Sequence, residues 1–405
     1  MFKQFLTVLV LVTLLVIMAT VVTATEGEEV FVIGGIHPLT GGLAADGIQM
    51  DNAAQMAVDE INEMGGINGI MLAYAGADST GSAELGQTEA ERLIEDGAGA
   101  LIGTFQSAVT SNVAAIAERE GIPMVIDVAV ADAILDQGYE YVFRLQPNAT
   151  SMGVNGAIFL QQMAEAAGED ISTVVYMYEG DTDYGQSVYD AFAIQAEELG
   201  IEIVEEIPYG LSVTDLTTDM TLANAAAADV LVVTGYYNDG LLVARNAEEV
   251  GIDVRFVYGV AQGTYDQSQF VEDAGDLAEC FFNANYYWDA SDEMAAEVRA
   301  KFMELYGEDM RTSAVLAYQS VYIIADALSR AESTEPEAVR DALAETEYED
   351  HILPYDGPIT FDETGETETA SPVVMQVQEG TVVQVFPPEL AEGDTTPNFC
   401  TSWGG

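Results

Sequence analysis

Short apolar runs alternate with stretches of helical period along most of this chain, and no other feature narrows its possible folds so far. The run Val30–Ile33 is followed by Met50, Ala54, Ala57, Val58, Ile61 and Met64, which share one helical face until Gly65-Gly66 ends it. A strand at 70–75, a helix at 83–96, the strand "GALIGTF", a helix at 109–119 and the strands "IPMVIDV" and "YVFRL" complete a first series. A second series starts with a helix at 152–167. It continues through "TVVYMY", 187–199, "IEIVEEI", 216–227, "DVLVVTG", 241–250 and "RFVYGV". Such alternation builds parallel sheets with helices on both faces, because each parallel connection must cross the sheet. Two series in 405 residues, divided near 144–148, predict an α/β chain of two doubly wound parallel-sheet lobes.

Ligands of open parallel sheets bind beyond the carboxyl ends of the strands. Glycines and hydroxyls gather at those ends, at 34–42, 103–107, 179–185 and 235–240. The first cluster belongs to "GGIHPLTGGLAADG", with five glycines in fourteen residues between a strand and a helix. Glycine permits close backbone approach and a helix start offers free N–H groups, so the loop reads as ligand-holding. It is not a nucleotide loop: the glycines at 34, 35, 41, 42 and 47 miss the G-x-G-x-x-G spacing, and no G-x-x-x-x-G-K-[ST] occurs. There is no G-x-S-x-G elbow, and His37 and His351, the only histidines, stand outside any ligand-spaced cluster. The expectation is a binding protein rather than an enzyme, without cofactor or metal.

The first 24 residues read as a secretory signal: Lys3, an apolar run from Phe5 to Val22, then small residues up to Ala24. An uncleaved anchor is the alternative, since the run is near the lower length limit for spanning a bilayer. Export to the periplasm or the outer face of the membrane makes a Cys280–Cys400 disulfide the natural use of the two cysteines. Acidic residues number 69 against 11 basic ones, a net charge of −58, and loss of Lys3 with the signal makes it more negative. Such a charge excludes nucleic acid and anionic membrane surfaces as partners. With 49% hydrophobic residues in intact periodicity, it does not signal disorder. It predicts a protein of a salt-loving cell, where molar salt shortens the screening length to about 3 Å.

The stretch "FVIGGIHPLTGGLAADGIQMDNAAQMAVDEINEMGGING" resembles the opening of the exported leucine/isoleucine/valine-binding proteins. These are periplasmic binding proteins of type I, the solute receptors of branched-chain amino acid ABC importers. The likeness continues in order through "ALIGTFQSAVTSNVAAIAEREGIPMVI", "YVFRLQPNAT", "DYGQSVYDAF", "LVVTGYYNDG" and "YDGPITFDETG", covering nearly all of the mature chain. It implies two lobes joined by three crossings, near 144–147, 277–282 and 348–353, that close on a small solute. The first lobe is then 25–145 plus 280–350, and the second 146–279 plus 351–405. It also implies an ABC permease as partner and a monomeric receptor. The family's carboxylate-anchoring serine corresponds to Ser107 of "TFQSAVTSN". A hydroxyl and N–H groups at a helix start hold an anion there without arginine; a plain helix cap is the alternative role. Tyr184 of "TDYGQ" corresponds to a tyrosine closing from the second lobe, and Tyr236 or Tyr237 of "GYYND" to another. Thr40 and Val128 complete the expected contacts of the first lobe.

Three departures from the family's pattern concern the ligand's ammonium. Val130 of "IDVAVADA" falls where Thr or Ser is usual, Gln262 follows "RFVYGV" in place of an acid, and Asp46 occupies the position of an aromatic lid. A buried ammonium without a partner is costly, so Asp46, Asp127 or Asp239 serves it, or the ligand has none. Amides, urea and small carboxylates are bound by other members of the group. The resemblance thus implies a receptor of a branched-chain-amino-acid-type ABC importer that takes a small amino acid or related polar solute. A ligand sensor of the same fold is the alternative; the absence of a fused kinase, DNA-binding or membrane domain argues for transport.

Overall fold

In the computed structural model, which describes residues 30–399, the first apolar run becomes β1 (Val30–His37). The helix after it, α1 (Ala44–Glu63), buries Met50, Ala53, Ala54, Ala57, Val58 and Ile61 along one face. β2 (Met71–Asp78), α2 (Ala83–Glu95), β3 (Ala98–Gly103), α3 (Ser107–Glu120), β4 (Met124–Ile126) and β5 (Val142–Arg144) follow. Their strands form one five-stranded parallel sheet in the order β2-β1-β3-β4-β5. The signal segment and Cys400 lie outside the described residues.

A second sheet is built from α4 (Ala149–Ala167), β6 (Thr173–Glu179), α5 (Asp183–Leu199), β7 (Glu202–Tyr209), α6 (Thr217–Ala226), β8 (Val230–Thr234), α7 (Tyr237–Val250), β9 (Phe256–Val260), α8 (Ser268–Ala274) and β10 (Phe281–Asn285). The chain then forms α9 (Glu293–Tyr306), α10 (Thr312–Ala331) and α11 (Pro336–Ala344), with α10 lying along α1 and against β3 of the first lobe. It returns as β11 (Val373–Gln378) and β12 (Thr381–Phe386) to the second sheet, whose order is β12-β11-β10-β9-β8-β6-β7. β8 and β9 are buried at every residue, as expected of strands covered on both faces.

Two expectations need correction. Residues 281–285, assigned from the sequence to the second crossing and the first lobe, pair with β9 and β11, so the crossing follows them. The sheet is also not purely parallel. β10–β11 and β11–β12 are antiparallel, and the β11–β12 turn places Glu379 and Gly380 both at positive φ, the arrangement of a two-residue hairpin. The three crossings lie side by side. Arg144 N donates to Gly365 O at 2.8 Å, Tyr355 Oη to Leu145 O at 3.2 Å, and Asp289 N to Ile352 O at 2.8 Å. Among the described residues no helix is long and apolar enough to cross a membrane.

Candidate functional site in the cleft between the lobes

The carboxyl ends of the two sheets face one cavity with an empty volume of about 330 Å³. From the first lobe it is lined by Phe105 and Ser107 after β3 and by Val128, Ala129 and Val130 after β4. From the second come Tyr184 at the start of α5, Gly235 and Tyr236 after β8, and Ala261 and Gly263 after β9. Tyr286, the residue following β10, completes it. The site sits where the topology of open parallel sheets puts ligands.

Ser107 is the first residue of α3 and is 4% exposed. It does not cap its helix; Gln106 occupies that position, and Ser107 Oγ instead accepts the N–H of Ala131 at 3.3 Å. Behind that loop Arg144 is fully buried, donating to the carbonyls of Val130 and, at 2.8 Å, of Ala131, with Glu366 Oε2 3.4 Å from its Nε. Burial pushes the Arg144 pKa down, and the nearby Glu366 carboxylate works against that shift. On the other lobe Tyr184 Oη is shared between the carbonyls of Gly235, at 3.0 Å, and Ala261. Tyr236 stacks at an angle between the lobes, its ring 5.0 Å from Tyr184 and 6.1 Å from Phe105. Burial raises the phenol pKa of Tyr184, Tyr236 and Tyr286, so all three remain O–H groups.

Of the residues selected from the sequence, Ser107, Val128, Val130, Tyr184 and Tyr236 lie on this cavity. Tyr237 does not: its hydroxyl donates to Asp273 Oδ2 at 2.7 Å, and the Arg311 guanidinium sits 5.6 Å from its ring. Thr40 is turned to Asp78, which takes its hydroxyl at 2.6 Å and its amide at 3.2 Å. Gln262 is buried inside the second lobe, where its Oε1 accepts from Thr264 at 2.9 Å. The glycine loop also stays off the cavity. Gly35 and Gly47 serve packing, since a Cβ on Gly35 would lie 2.0 Å from Tyr74 Oη and one on Gly47 2.2 Å from Pro38 O.

The three carboxylates considered for an ammonium are committed elsewhere. Asp46 meets Arg311 Nη1 at 3.2 Å and Ser313 Oγ at 3.3 Å, and burial raises its pKa in spite of that cation. Arg311 also donates to Gln267 Oε1 and Gln269 Oε1 of the second lobe, so the group bridges the two lobes beside the cavity. Asp127 Oδ2 is 2.9 Å from His37 Nε2 in a pair with no exposure. Asp239 Oδ2 accepts from Tyr209 Oη at 2.7 Å and Tyr236 N at 3.1 Å, and burial pushes its pKa up to about 7. Sequence reasoning missed Tyr286, Phe105 and the supporting pair Arg144 and Arg311. Tyr286 was findable, because it directly follows a fully buried strand.

Comparison with known proteins agrees with this architecture. Leu/Ile/Val-binding protein homolog 8 of Brucella abortus (strain 2308) is 29% identical over 383 residues, 92% of this chain and 94% of that one. The branched-chain amino acid transporter substrate binding protein LivJ of Streptococcus pneumoniae, solved in complex with isoleucine, superposes with a TM-score of 0.77 at 24% identity, covering 88% of this chain and 100% of that one. A solute binding protein of an ABC transporter from R. palustris, solved with benzoate, gives a TM-score of 0.74 at 16% identity over 93% and 99% of the two chains. The profile of one family runs across residues 31–381, both lobes and all three crossings included, and the chain belongs to that family, the periplasmic binding proteins.

Proposed function

We propose that this protein is the extracytoplasmic receptor of an ABC importer of the branched-chain amino acid type, binding one small solute between its lobes. One observation carries the reading: Ser107 at the start of α3 and Tyr184 and Tyr236 of the opposite lobe line a single cavity at the strand ends. Ser107 and the first-turn N–H groups hold the carboxylate or carbonyl end of the ligand. Tyr184, Tyr236 and Tyr286 close over the rest, so binding and closure are one equilibrium. The relatives' names, which specify leucine, isoleucine and valine binding, support the solute class. In this reading residues 30–145 with 286–350 make one lobe, and 146–285 with the remaining chain the other. The receptor works as an exported monomer, releases its ligand unchanged to a permease, and uses its acidic surface in strong salt. The test is mass spectrometry of solute freed by denaturing the purified protein, followed by calorimetry with that solute. Ser107→Ala should weaken binding by about 1–3 kcal/mol, the range for a lost buried hydrogen-bond partner. Unchanged affinity would remove this anchor, and chemical conversion of the solute would overturn the receptor role.

A further inference from the structure

We infer that closure of the two lobes takes up a proton, held at Asp266 where the lobes meet, so that acid favours the closed, loaded receptor and a rise in pH favours release. The inference rests on the receptor reading above and comes from the seam beside the cavity. Asp266 follows β9 in the second lobe, and Thr312 opens α10, which packs along α1 in the first. Across the seam Thr312 Oγ1 donates to Asp266 Oδ2 at 3.3 Å, and Gln267 Nε2 to Asp46 Oδ1 at 3.4 Å. Two carboxylates, one from each lobe, thus meet at the first turn of one helix, for Asp46 also takes the hydroxyl of Ser313. The cation beside them, Arg311, pairs with Asp46 and also donates to Gln267 and Gln269.

Asp266 is left with neutral partners. It is 4% exposed, and its Oδ2 accepts from Asn285 Nδ2 at 2.9 Å as well as from Thr312. Among the described residues no cation forms an ion pair with it. The charged groups around it favour a proton. Asp46 faces it from α1, Glu272 and Asp273 stand on α8, and Glu308 and Asp309 precede α10, with Arg299 of α9 already paired to Asp309. Tyr286 and Tyr287, which follow β10, have phenol pKa values raised by burial and remain neutral O–H groups. The dipole of α10 favours the anion, yet burial, with repulsion from Asp46, still pushes the Asp266 pKa from 3.8 up to about 7.

Asp266 also lines a groove of about 1460 Å³ between the lobes, with Gln49 and Met310 on one side and Gln269 and Glu272 on the other. Separating the lobes takes Thr312 and Asp46 away from Asp266 and widens that groove, so water reaches the carboxylate and its pKa returns towards the ordinary value. The closed form then holds one proton more than the open form between about pH 4 and pH 7. This contribution to closure is complete at the acid end and lost as pH rises through about 7. Asp239, also raised to about 7, is bonded to Tyr209 and Tyr236 of its own lobe, which move with it.

Small-angle X-ray scattering of the full mature chain, without added solute and in molar sodium chloride, tests this. The radius of gyration should rise from pH 5 to pH 8, as the closure constant falls by up to about a hundredfold. Asp266→Asn, a neutral copy of the protonated acid, should hold the compact value at both ends. Asp46→Asn, which removes the repulsion and frees Arg311 for Asp266, should move the step to lower pH. Isoleucine, the solute of the LivJ structure, supplies a second measurement. Calorimetry in two buffers of different ionisation enthalpy should find proton uptake on binding at pH 6 that Asp266→Asn abolishes. A radius constant with pH, or one that rises equally in Asp266→Asn, overturns the inference and leaves the receptor reading standing. If isoleucine does not bind, scattering alone decides. A radius that answers neither to pH nor to the solute freed from the purified protein overturns the receptor reading as well.

Discussion

Arg144 donates to the carbonyl of Ala131 at 2.8 Å, and the amide of that residue donates to Ser107 Oγ at 3.3 Å. The arginine on the first crossing is thus linked through a single residue to the serine proposed as the ligand anchor. Replacing it with methionine leaves two carbonyls and Glu366 without their buried partner, and should cost about 3–5 kcal/mol of stability. Lysine should not restore ligand affinity, because a point charge cannot hold two carbonyls in a fixed fork. Urea denaturation and calorimetry on both variants check this; wild-type affinity in Arg144→Lys would refute the positioning role.

Arg311 joins Asp46 of the first lobe to Gln267 and Gln269 of the second. Arg311→Met should therefore act on closure. We expect affinity to fall by about 1–3 kcal/mol, and the radius of gyration with ligand to move towards the open value in X-ray scattering. Asp46→Asn should follow the same pattern for every ligand, since Asp46 lies off the cavity. Loss of binding by cationic solutes alone would return Asp46 to the site.

Burial raises the Asp239 pKa from an ordinary 3.8 to about 7, against hydrogen bonds from Tyr209 and Tyr236 and with Glu179 adding repulsion. The native state then binds the extra proton between roughly pH 4 and 7, so this stabilisation is complete at the acid end and is lost as pH rises through 7. Asp266, also raised to about 7 by burial, acts in the same direction. The melting temperature should fall from pH 5.5 to pH 8, and Asp239→Asn, which keeps an acceptor oxygen, should flatten that slope. A slope unaltered by the substitution would exclude Asp239 as its source.

Salt should stabilise the fold. With a net charge of −58, repulsion among surface carboxylates falls as the screening length shortens. Sodium chloride raised from dilute to molar should lift the melting temperature by several degrees. A flat or falling response would oppose adaptation to strong salt.

Cys280 precedes β10, and Cys400 should be disulfide-bonded to it. Asn398 exchanges hydrogen bonds with Gln376, the β11 partner of Phe282, and the Phe399 ring is 5.4 Å from that of Phe282. The chain therefore reaches Phe282, two residues past Cys280, one position before the second cysteine. Thiol titration of the unreduced, unfolded protein should find none; two would disprove the bond.

Periodicity made the two series of strands and helices legible, and the strand-end rule located the cavity. Direction within an end was not legible. Asp46 is turned by Arg311, 265 positions later, and Thr40 by Asp78; neither partner can be read from local pattern. Tyr286 was lost because "FFNAN" was placed at a crossing, when its unbroken burial belongs to an inner strand. The hairpin β11–β12 was missed because it follows the α/β alternation and breaks its rule.

Both lobes are assembled from distant parts of the chain, and this affects the order in which they can be completed. One face of the first sheet lacks its cover over β3 and β4 until α10 packs beside α1, and the second has an unfinished edge until β11 and β12 follow residue 372. A nascent chain several hundred residues long thus still lacks a covering element for each half, and its longest-range pairings come last. Synthesis itself delays the native fold until almost the whole polypeptide is available, which fits the export across a membrane proposed for it.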